Sequence, residues 1–142
     1  MNSVDNYFAD LNTISNRVKA KTGEESKLIR FPGGSSNLVS RRYDGRSRIM
    51  TRLVNEVTKR GYTYFDWNVD SNDAGGAKTA HEVFNNVTSR LVLGGDYVVL
   101  QHDVKGFSVD AVERIIQYGI EHNFIFKKLD ASSFTAHHGV NN

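Results

Sequence analysis

The chain has no cysteine among its 142 residues, and it contains a single proline, Pro32. Without cysteine it can form neither a disulfide scaffold nor a thiolate zinc site, and it has no thiol nucleophile. Its apolar runs are short, such as residues 97–100, whereas a membrane-spanning helix needs about 20 apolar residues. Residues 1–5 lack the basic start and the apolar stretch of a secretory signal. We therefore expect no membrane segment and no signal peptide in this chain.

Neither sign of charge dominates the composition. The 18 Lys and Arg side chains nearly balance the 16 Asp and Glu side chains, for a formal net charge of +2. This balance is atypical of a nucleic-acid-binding surface, so we expect no nucleic-acid partner. The length predicts a single domain over residues 1–142, with a polar tail from about residue 131. It is too short for a closed (β/α) barrel, which typically needs about 200 residues or more.

Four amphipathic segments alternate with four short segments that favour β-structure. The 3.6-residue spacing predicts helices over residues 4–22, 44–60, 77–93 and 109–122, and strands over residues 27–31, 62–67, 96–101 and 124–129. Ser3 and Ser108 are expected N-caps, and Gly23 and Asn123 are expected helix ends. The fourth helix should bury one face, consisting of Val109, Val112, Ile115, Ile116 and Ile120. This order predicts one α/β body with a parallel sheet.

Polar side chains follow three of the predicted strands. Arg30 ends the first strand, a run of carboxylates from Asp66 to Asp73 follows the second, and His102 ends the third. Because the carboxyl ends of parallel strands share one edge, we expect these residues to converge on one rim. A lone histidine there is often a core residue, but one beside carboxylates is suited to general acid catalysis. That role needs a carboxylate to hold the imidazole tautomer.

Three other patterns in the chain favour no function. The turn at residues 33–35 lacks the spacing and the lysine of a phosphate-binding loop, so we interpret it as a tight turn. The alternating oxygens of residues 66–72 resemble a calcium loop, but Ser71 and Ala77 stand where that loop needs Gly and Glu. His137-His138 is interpreted as an exposed pair without function, since adjacent histidines point in different directions.

The ordered set of strand-end motifs resembles the polysaccharide deacetylases, the NodB-homology or family 4 carbohydrate esterases. The motifs are Arg30-Phe31-Pro32-Gly33-Gly34, then residues 66–73, then Leu100-Gln101-His102, and they resemble the third, fourth and fifth motifs of that family. The resemblance covers about residues 4–130. It implies a distorted (β/α) barrel that removes N-acetyl groups from sugar polymers such as peptidoglycan or chitin. It also implies a divalent metal, zinc in many members, and action at the cell envelope or outside the cell.

The resemblance implies a role for each matched residue. His102 would be the general acid that protonates the leaving amine, with Asp70 as its carboxylate partner and Asp73 as the alternative. Arg30 would orient the catalytic-base aspartate.

The resemblance also implies substrate contacts. The backbone N–H of Gly33 would help to hold the oxyanion, Leu100 would line the acetyl pocket, and Trp67 would supply an aromatic wall.

Two motifs of the family are missing from the sequence. There is no Thr-Phe-Asp-Asp run, which carries the base and a metal ligand, and no His-Ser/Thr-x-x-x-His motif, which carries the metal histidines. We therefore assign no metal ligand in this chain and expect it to correspond to the C-terminal portion of a deacetylase domain, inactive alone. The alternative is a non-catalytic carbohydrate-binding or regulatory half-barrel that self-associates through strand edges or pairs with a missing N-terminal half.

Overall fold

The computed structural model describes residues 3–42 and 48–142. The chain divides into two compact units, each of which contains helices and one pair of parallel strands. The first unit comprises Met1–Asp66 and His137–Asn142, and the second comprises Trp67–Ala136. The α/β class is therefore as predicted, and the strands of the described residues form no closed barrel. No helix in this part of the chain is long and apolar enough to cross a membrane.

The first unit contains the elements α1 (Val4–Thr22), β1 (Leu28–Ile29), a 3₁₀ helix (Val39–Arg42), α2 (Ile49–Lys59) and β2 (Thr63–Tyr64). Helix α1 has the predicted ends. The Ser3 side chain accepts a hydrogen bond from the Asn6 backbone N–H, and Gly23 takes up the left-handed conformation with φ of +78°. The predicted start of the second helix at Asp44 lies outside the described residues.

An aromatic cluster forms the core of the first unit and positions the loop after β1. Phe31 is buried, and its ring centroid lies 5.7 Å from that of Tyr7 and 5.4 Å from that of Tyr64. Helix α2 packs against this cluster with the buried residues Ile49, Met50, Leu53 and Val57. Since Phe31 comes directly before Pro32 and Gly33, its burial anchors the loop that carries the first motif.

The second unit contains β3 (Val69–Asp70), α3 (Ala80–Thr88), β4 (Val99–Leu100) and α4 (Gly106–Glu121). Strands β3 and β4 are parallel, with Val69 opposite Val99 and Asp70 opposite Leu100. A capping box between Thr79 and Glu82 starts α3, so this helix begins later than predicted. The core lies between the helices and the strands and includes Val69, Val83, Val87, Ala111 and Ile115.

The strand pairing differs from the predicted single sheet. The described strands form two separate parallel pairs, β1 with β2 and β3 with β4. Strand β3 lies in a stretch that the polar sequence predicted to be a loop. The side chain of Asn68 explains this difference, because its amide donates to the Asp96 carbonyl and accepts from the Val98 N–H. Asn68 thereby joins the backbone before β3 to residues 96–98, the segment before Val99.

The predicted fourth strand over residues 124–129 is wrong for the described structure, which has no strand there. Asn123, with φ of +61°, ends the preceding helical turn as predicted, and the Phe124 N–H donates to the Gly119 carbonyl. Ile125 and Phe126 are exposed. Apolar, β-favouring residues form a strand only when another strand pairs with them, and no described strand pairs with this segment.

Helix α4 differs from the prediction in its start and in its buried face. It begins at Gly106, and Lys105 rather than Ser108 occupies the N-cap position. The buried residues are Ser108, Ala111, Ile115 and Gly119, at helical spacing. Of the residues predicted to face inward, Val109, Val112, Ile116 and Ile120 are exposed. The helix therefore packs through Ile115 and three small residues.

We expect Phe31→Ala to destabilise the chain by about 3–5 kcal/mol, because it removes the ring at the centre of the first core. Urea unfolding monitored by far-UV circular dichroism measures this loss. Phe134→Ala is the matched control, because Phe134 is exposed, and its substitution should cost less than about 1 kcal/mol. Equal losses in the two variants would show that Phe31 is not the central residue of this core.

Candidate functional site

A tight turn after β3 places Asp73 inside the second unit. Asn72 has a left-handed backbone with φ of +57°, and its carbonyl accepts hydrogen bonds from the N–H groups of Gly75 and Ala77. A Cβ atom at Gly75 would meet the Asn72 side-chain oxygen, so a larger residue there would have to displace that side chain. The Asp73 side chain that this turn holds is buried, and the residue is 3% exposed.

Asp73 contacts His102 through both carboxylate oxygens. Its Oδ1 lies 2.7 Å from His102 Nδ1, and its Oδ2 accepts the backbone N–H of His102 at 2.7 Å. The parallel pairing of β3 and β4 brings these two loops together, because Asp70 lies opposite Leu100 and each loop follows its strand. The carboxylate that contacts His102 is therefore Asp73, the second of the two candidates. Asp70 instead accepts a hydrogen bond from the Asn72 N–H at 2.8 Å.

Ser108 also contacts Asp73, and sequence reasoning missed it. The Ser108 hydroxyl donates to Asp73 Oδ2 at 2.6 Å, and the side-chain amide of Gln101 lies 3.2 Å from the same hydroxyl oxygen. Ser108 was expected to cap a helix. Its signal in the sequence is its helical spacing from Ala111 and Ile115, which places a hydroxyl on the buried face of α4.

The surroundings of Asp73 determine its charge. Burial raises the pKa of a carboxyl group, but hydrogen bonds from Ser108 and from the side chain and backbone of His102 outweigh it and lower the pKa of Asp73 to about 2. An ionised carboxylate only accepts hydrogen bonds, so Nδ1 of His102 carries a hydrogen and Nε2 is the atom that can gain or lose a proton. The His102 side chain is 28% exposed and can reach solvent. This arrangement is suited to general acid catalysis.

The remaining candidate residues lie in both units. In the first unit, Arg30 is exposed and donates to the Phe31 carbonyl, and Gly33 has a φ of +72° in the turn after β1. In the second unit, Trp67 and Leu100 are partly buried. The convergence of all these residues on one rim stays a prediction.

The first unit has a buried carboxylate of its own, Asp66. Its Oδ1 accepts the Ser35 N–H at 2.7 Å, and its Oδ2 accepts the Ser35 hydroxyl and, at 2.9 Å, the His138 N–H. Asp66 therefore joins the loop after β1 to the C-terminal segment of the chain.

The two adjacent histidines help to hold that C-terminal segment. His137 is exposed, as predicted, but its ring stacks on Tyr64 with centroids 4.1 Å apart. His138 is half-buried, and its Nδ1 lies 3.3 Å from the Ser36 hydroxyl. The expectation that both are exposed is therefore wrong for His138.

The described residues do not fit the metal that the family resemblance implies. Among residues 3–42 and 48–142, no group of three or more His, Asp or Glu side chains could hold a metal ion. His102 and Asp73 supply two such side chains, and a catalytic zinc site usually has three protein ligands. The described residues by themselves therefore do not complete a metal site.

The low pKa of Asp73 makes folding stability depend on pH. Its pKa is about 2 in the folded chain against an ordinary value of 3.8, so between these values the unfolded state binds the proton more tightly. The shift corresponds to on the order of 2 kcal/mol, which is fully present above about pH 4 and is lost as the pH falls to about 2. We expect Asp73→Asn to be less stable than the unmodified chain at pH 7, and the difference to shrink at pH 2.5.

Urea unfolding at pH 7, 5, 3.5 and 2.5 measures this dependence. Asp96→Asn is the matched control, because Asp96 is exposed and its substitution should change stability little at any of these values. A difference between Asp73→Asn and the unmodified chain that stays constant with pH would contradict the expectation.

No protein-family model matches the chain. A curated relative, the peptidoglycan-N-acetylglucosamine deacetylase of Bacillus cereus, is 27% identical over 126 residues. The match covers 82% of this chain and 44% of the relative. The chain therefore spans less than half the length of this curated relative.

Solved structures extend the comparison. The catalytic domain of peptidoglycan N-acetylglucosamine deacetylase from Eubacterium rectale superposes with a TM-score of 0.94 and 48% identity, over 99% of this chain and 64% of that one. A polysaccharide deacetylase from Bacillus cereus has the same fold, with a TM-score of 0.74 and 24% identity, over 92% of this chain and 61% of that one. The resemblance predicted from the three motifs is confirmed: the chain is similar in sequence and in fold to part of the domain of polysaccharide deacetylases.

Proposed function

We propose that this chain supplies the general acid of a polysaccharide deacetylase site. In this proposal His102 protonates the amine that is released when an N-acetyl group of a sugar polymer is hydrolysed. The observation that carries the proposal is the 2.7 Å contact between His102 Nδ1 and the buried Asp73. Two of the similar proteins are named for peptidoglycan N-acetylglucosamine, so N-acetylated glucosamine polymers are the substrate class to test.

The chemistry of amide hydrolysis explains why such an acid is needed. An amine leaves a tetrahedral intermediate only after its nitrogen is protonated, because the amide anion is a very poor leaving group. The imidazolium of His102 would give its Nε2 proton to that nitrogen as the C–N bond breaks, releasing the free amine and acetate. Asp73 stabilises the imidazolium before the transfer and keeps the hydrogen on Nδ1 afterwards. A positioned acid of this kind contributes about 10²–10⁴-fold to the rate.

The other matched residues have supporting roles in this proposal. The backbone N–H of Gly33 would help to hold the oxyanion, Leu100 would line the acetyl pocket, and Trp67 would form an aromatic wall beside the sugar. Arg30 would orient a catalytic-base aspartate that the sequence motifs do not locate in this chain. The fold would be a part of the distorted (β/α) barrel of these enzymes, which matches the coverage of 64% of the Eubacterium rectale domain.

We expect the chain of 142 residues to bind less than stoichiometric zinc after dialysis and to release no measurable acetate from N-acetylglucosamine oligomers. The reason is that its described residues offer no group of three metal ligands. Mass spectrometry of the metal content and an enzymatic acetate assay provide the two measurements. Binding of one equivalent of zinc that is lost in His102→Ala and kept in His81→Ala would refute the expectation. His81 is the control because it is exposed on α3.

A second candidate function is carbohydrate binding without turnover, which the half-buried position of Trp67 favours. Because Trp67 is the single tryptophan of the chain, its fluorescence reports directly on this region. Binding of N-acetylglucosamine oligomers at micromolar concentration, without acetate release, would support this function, and isothermal titration of Trp67→Phe should then show weaker binding. Tyr97→Phe, which keeps its ring, is the matched control. No binding in isothermal titration, together with unchanged Trp67 fluorescence, would contradict the function.

The second candidate has a related form, in which the half-barrel associates with another copy or with a separate N-terminal half. The exposed apolar residues of α4, Val109, Val112, Ile116 and Ile120, favour such an association. Self-association through strand edges stays a prediction.

A further inference from the structure

We infer that Ser108 is a positioning residue that fixes the tautomer of His102 through Asp73, and that Gln101 fixes the direction of the Ser108 hydroxyl. The inference rests on the proposed function, because it concerns how His102 is prepared to act as an acid. It assigns roles to two residues outside the Asp73–His102 contact itself.

The first step concerns the direction of the Ser108 hydroxyl. Ser108 is 1% exposed, in the first turn of α4. The Gln101 side-chain amide can only donate through Nε2, which lies 3.2 Å from Ser108 Oγ and 2.8 Å from the Ser108 carbonyl oxygen. The hydroxyl oxygen therefore accepts from Gln101, and its single hydrogen is directed to Asp73 Oδ2 at 2.6 Å.

The second step concerns the two oxygens of Asp73. Oδ2 accepts two hydrogen bonds, one from the Ser108 hydroxyl and one from the His102 backbone N–H, while Oδ1 faces the imidazole. With Oδ2 held on two sides, the carboxylate has little freedom to rotate, and Oδ1 stays in line with Nδ1. The hydrogen bond from Ser108 is also the strongest of the influences that lower the pKa of Asp73. Without the hydroxyl, the carboxylate is freer to turn, so Oδ1 is no longer held in line with Nδ1–H.

The third step is that these contacts form a closed loop. Gln101 and His102 are neighbours in the chain, Gln101 contacts Ser108, Ser108 contacts Asp73, and Asp73 contacts His102. In a closed loop of hydrogen bonds the movement of one member is restrained from both directions, and charged members strengthen the neighbouring bonds. The loop therefore restrains the imidazole more than a two-residue pair could.

Nitrogen-15 NMR of the His102 imidazole tests the inference in the full chain at pH 8.5, above the ordinary titration range of histidine. We expect the unmodified chain to show a single Nδ1–H tautomer. In Ser108→Ala we expect a mixture of tautomers and an Nδ1–H that exchanges with water about tenfold faster, as the loss of one hydrogen bond of about 1.4 kcal/mol implies. Ser108→Thr keeps the hydroxyl and should restore the single tautomer.

Two further variants separate positioning from general loss of stability. Thr88→Ala removes another buried hydroxyl of the second unit, which donates to the Phe84 carbonyl, and it should leave the tautomer unchanged. Gln101→Met keeps Ser108 but frees its hydroxyl to donate elsewhere, and it should give an intermediate result even if Ser108→Ala fails to fold. A single Nδ1–H tautomer in Ser108→Ala or in Gln101→Met, or an equal shift in Thr88→Ala, would overturn the inference. The readout needs no substrate, so it is independent of whether the chain or a larger assembly deacetylates sugars.

Discussion

The free-energy cost of burying a carboxylate constrains the packing of each of the two units. Removing a charged group from water costs several kcal/mol unless hydrogen-bond donors surround it. Asp66 in the first unit is 1% exposed and Asp73 in the second is 3% exposed. Their donors come from distant parts of the sequence, such as His138, 72 residues from Asp66, and Ser108, 35 residues from Asp73. Each aspartate therefore joins the loop after a strand to a segment that the chain reaches much later.

The same constraint has different chemical results in the two units. Asp66 accepts the backbone N–H groups of Ser35 and His138 and the Ser35 hydroxyl, and these contacts hold a loop and the C-terminal segment in place. Asp73 uses one oxygen for comparable contacts and faces the imidazole of His102 with the other. An imidazole ring can give up or accept a proton, whereas backbone N–H groups cannot. The proposed chemistry therefore belongs to the second aspartate.

The sequence predicted the ends of one helix and one contact between residues that follow neighbouring strands. The ends of α1 at Ser3 and Gly23 follow from capping chemistry, and the placement of His102 near a carboxylate follows from where parallel strands end. It could not decide between Asp70 and Asp73, because that choice depends on the left-handed turn at Asn72. The absent strand over residues 124–129 has a similar cause: apolar, β-favouring residues show that a segment can pair, but they do not show whether a partner strand is present.

The orientation of α4 shows why hydrophobicity alone was misleading. Four of its apolar side chains, Val109, Val112, Ile116 and Ile120, lie at the surface of the described unit, and its buried face consists of Ser108, Ala111, Ile115 and Gly119. A Cβ atom at Gly119 would lie 2.5 Å from the Phe126 ring, so a larger residue there would have to displace that exposed ring. Turning the helix to bury the larger residues would move the Ser108 hydroxyl away from Asp73 and leave a buried carboxylate oxygen with one donor fewer. The contact of Ser108 with Asp73 and the packing of the small residues therefore both favour the observed buried face of α4.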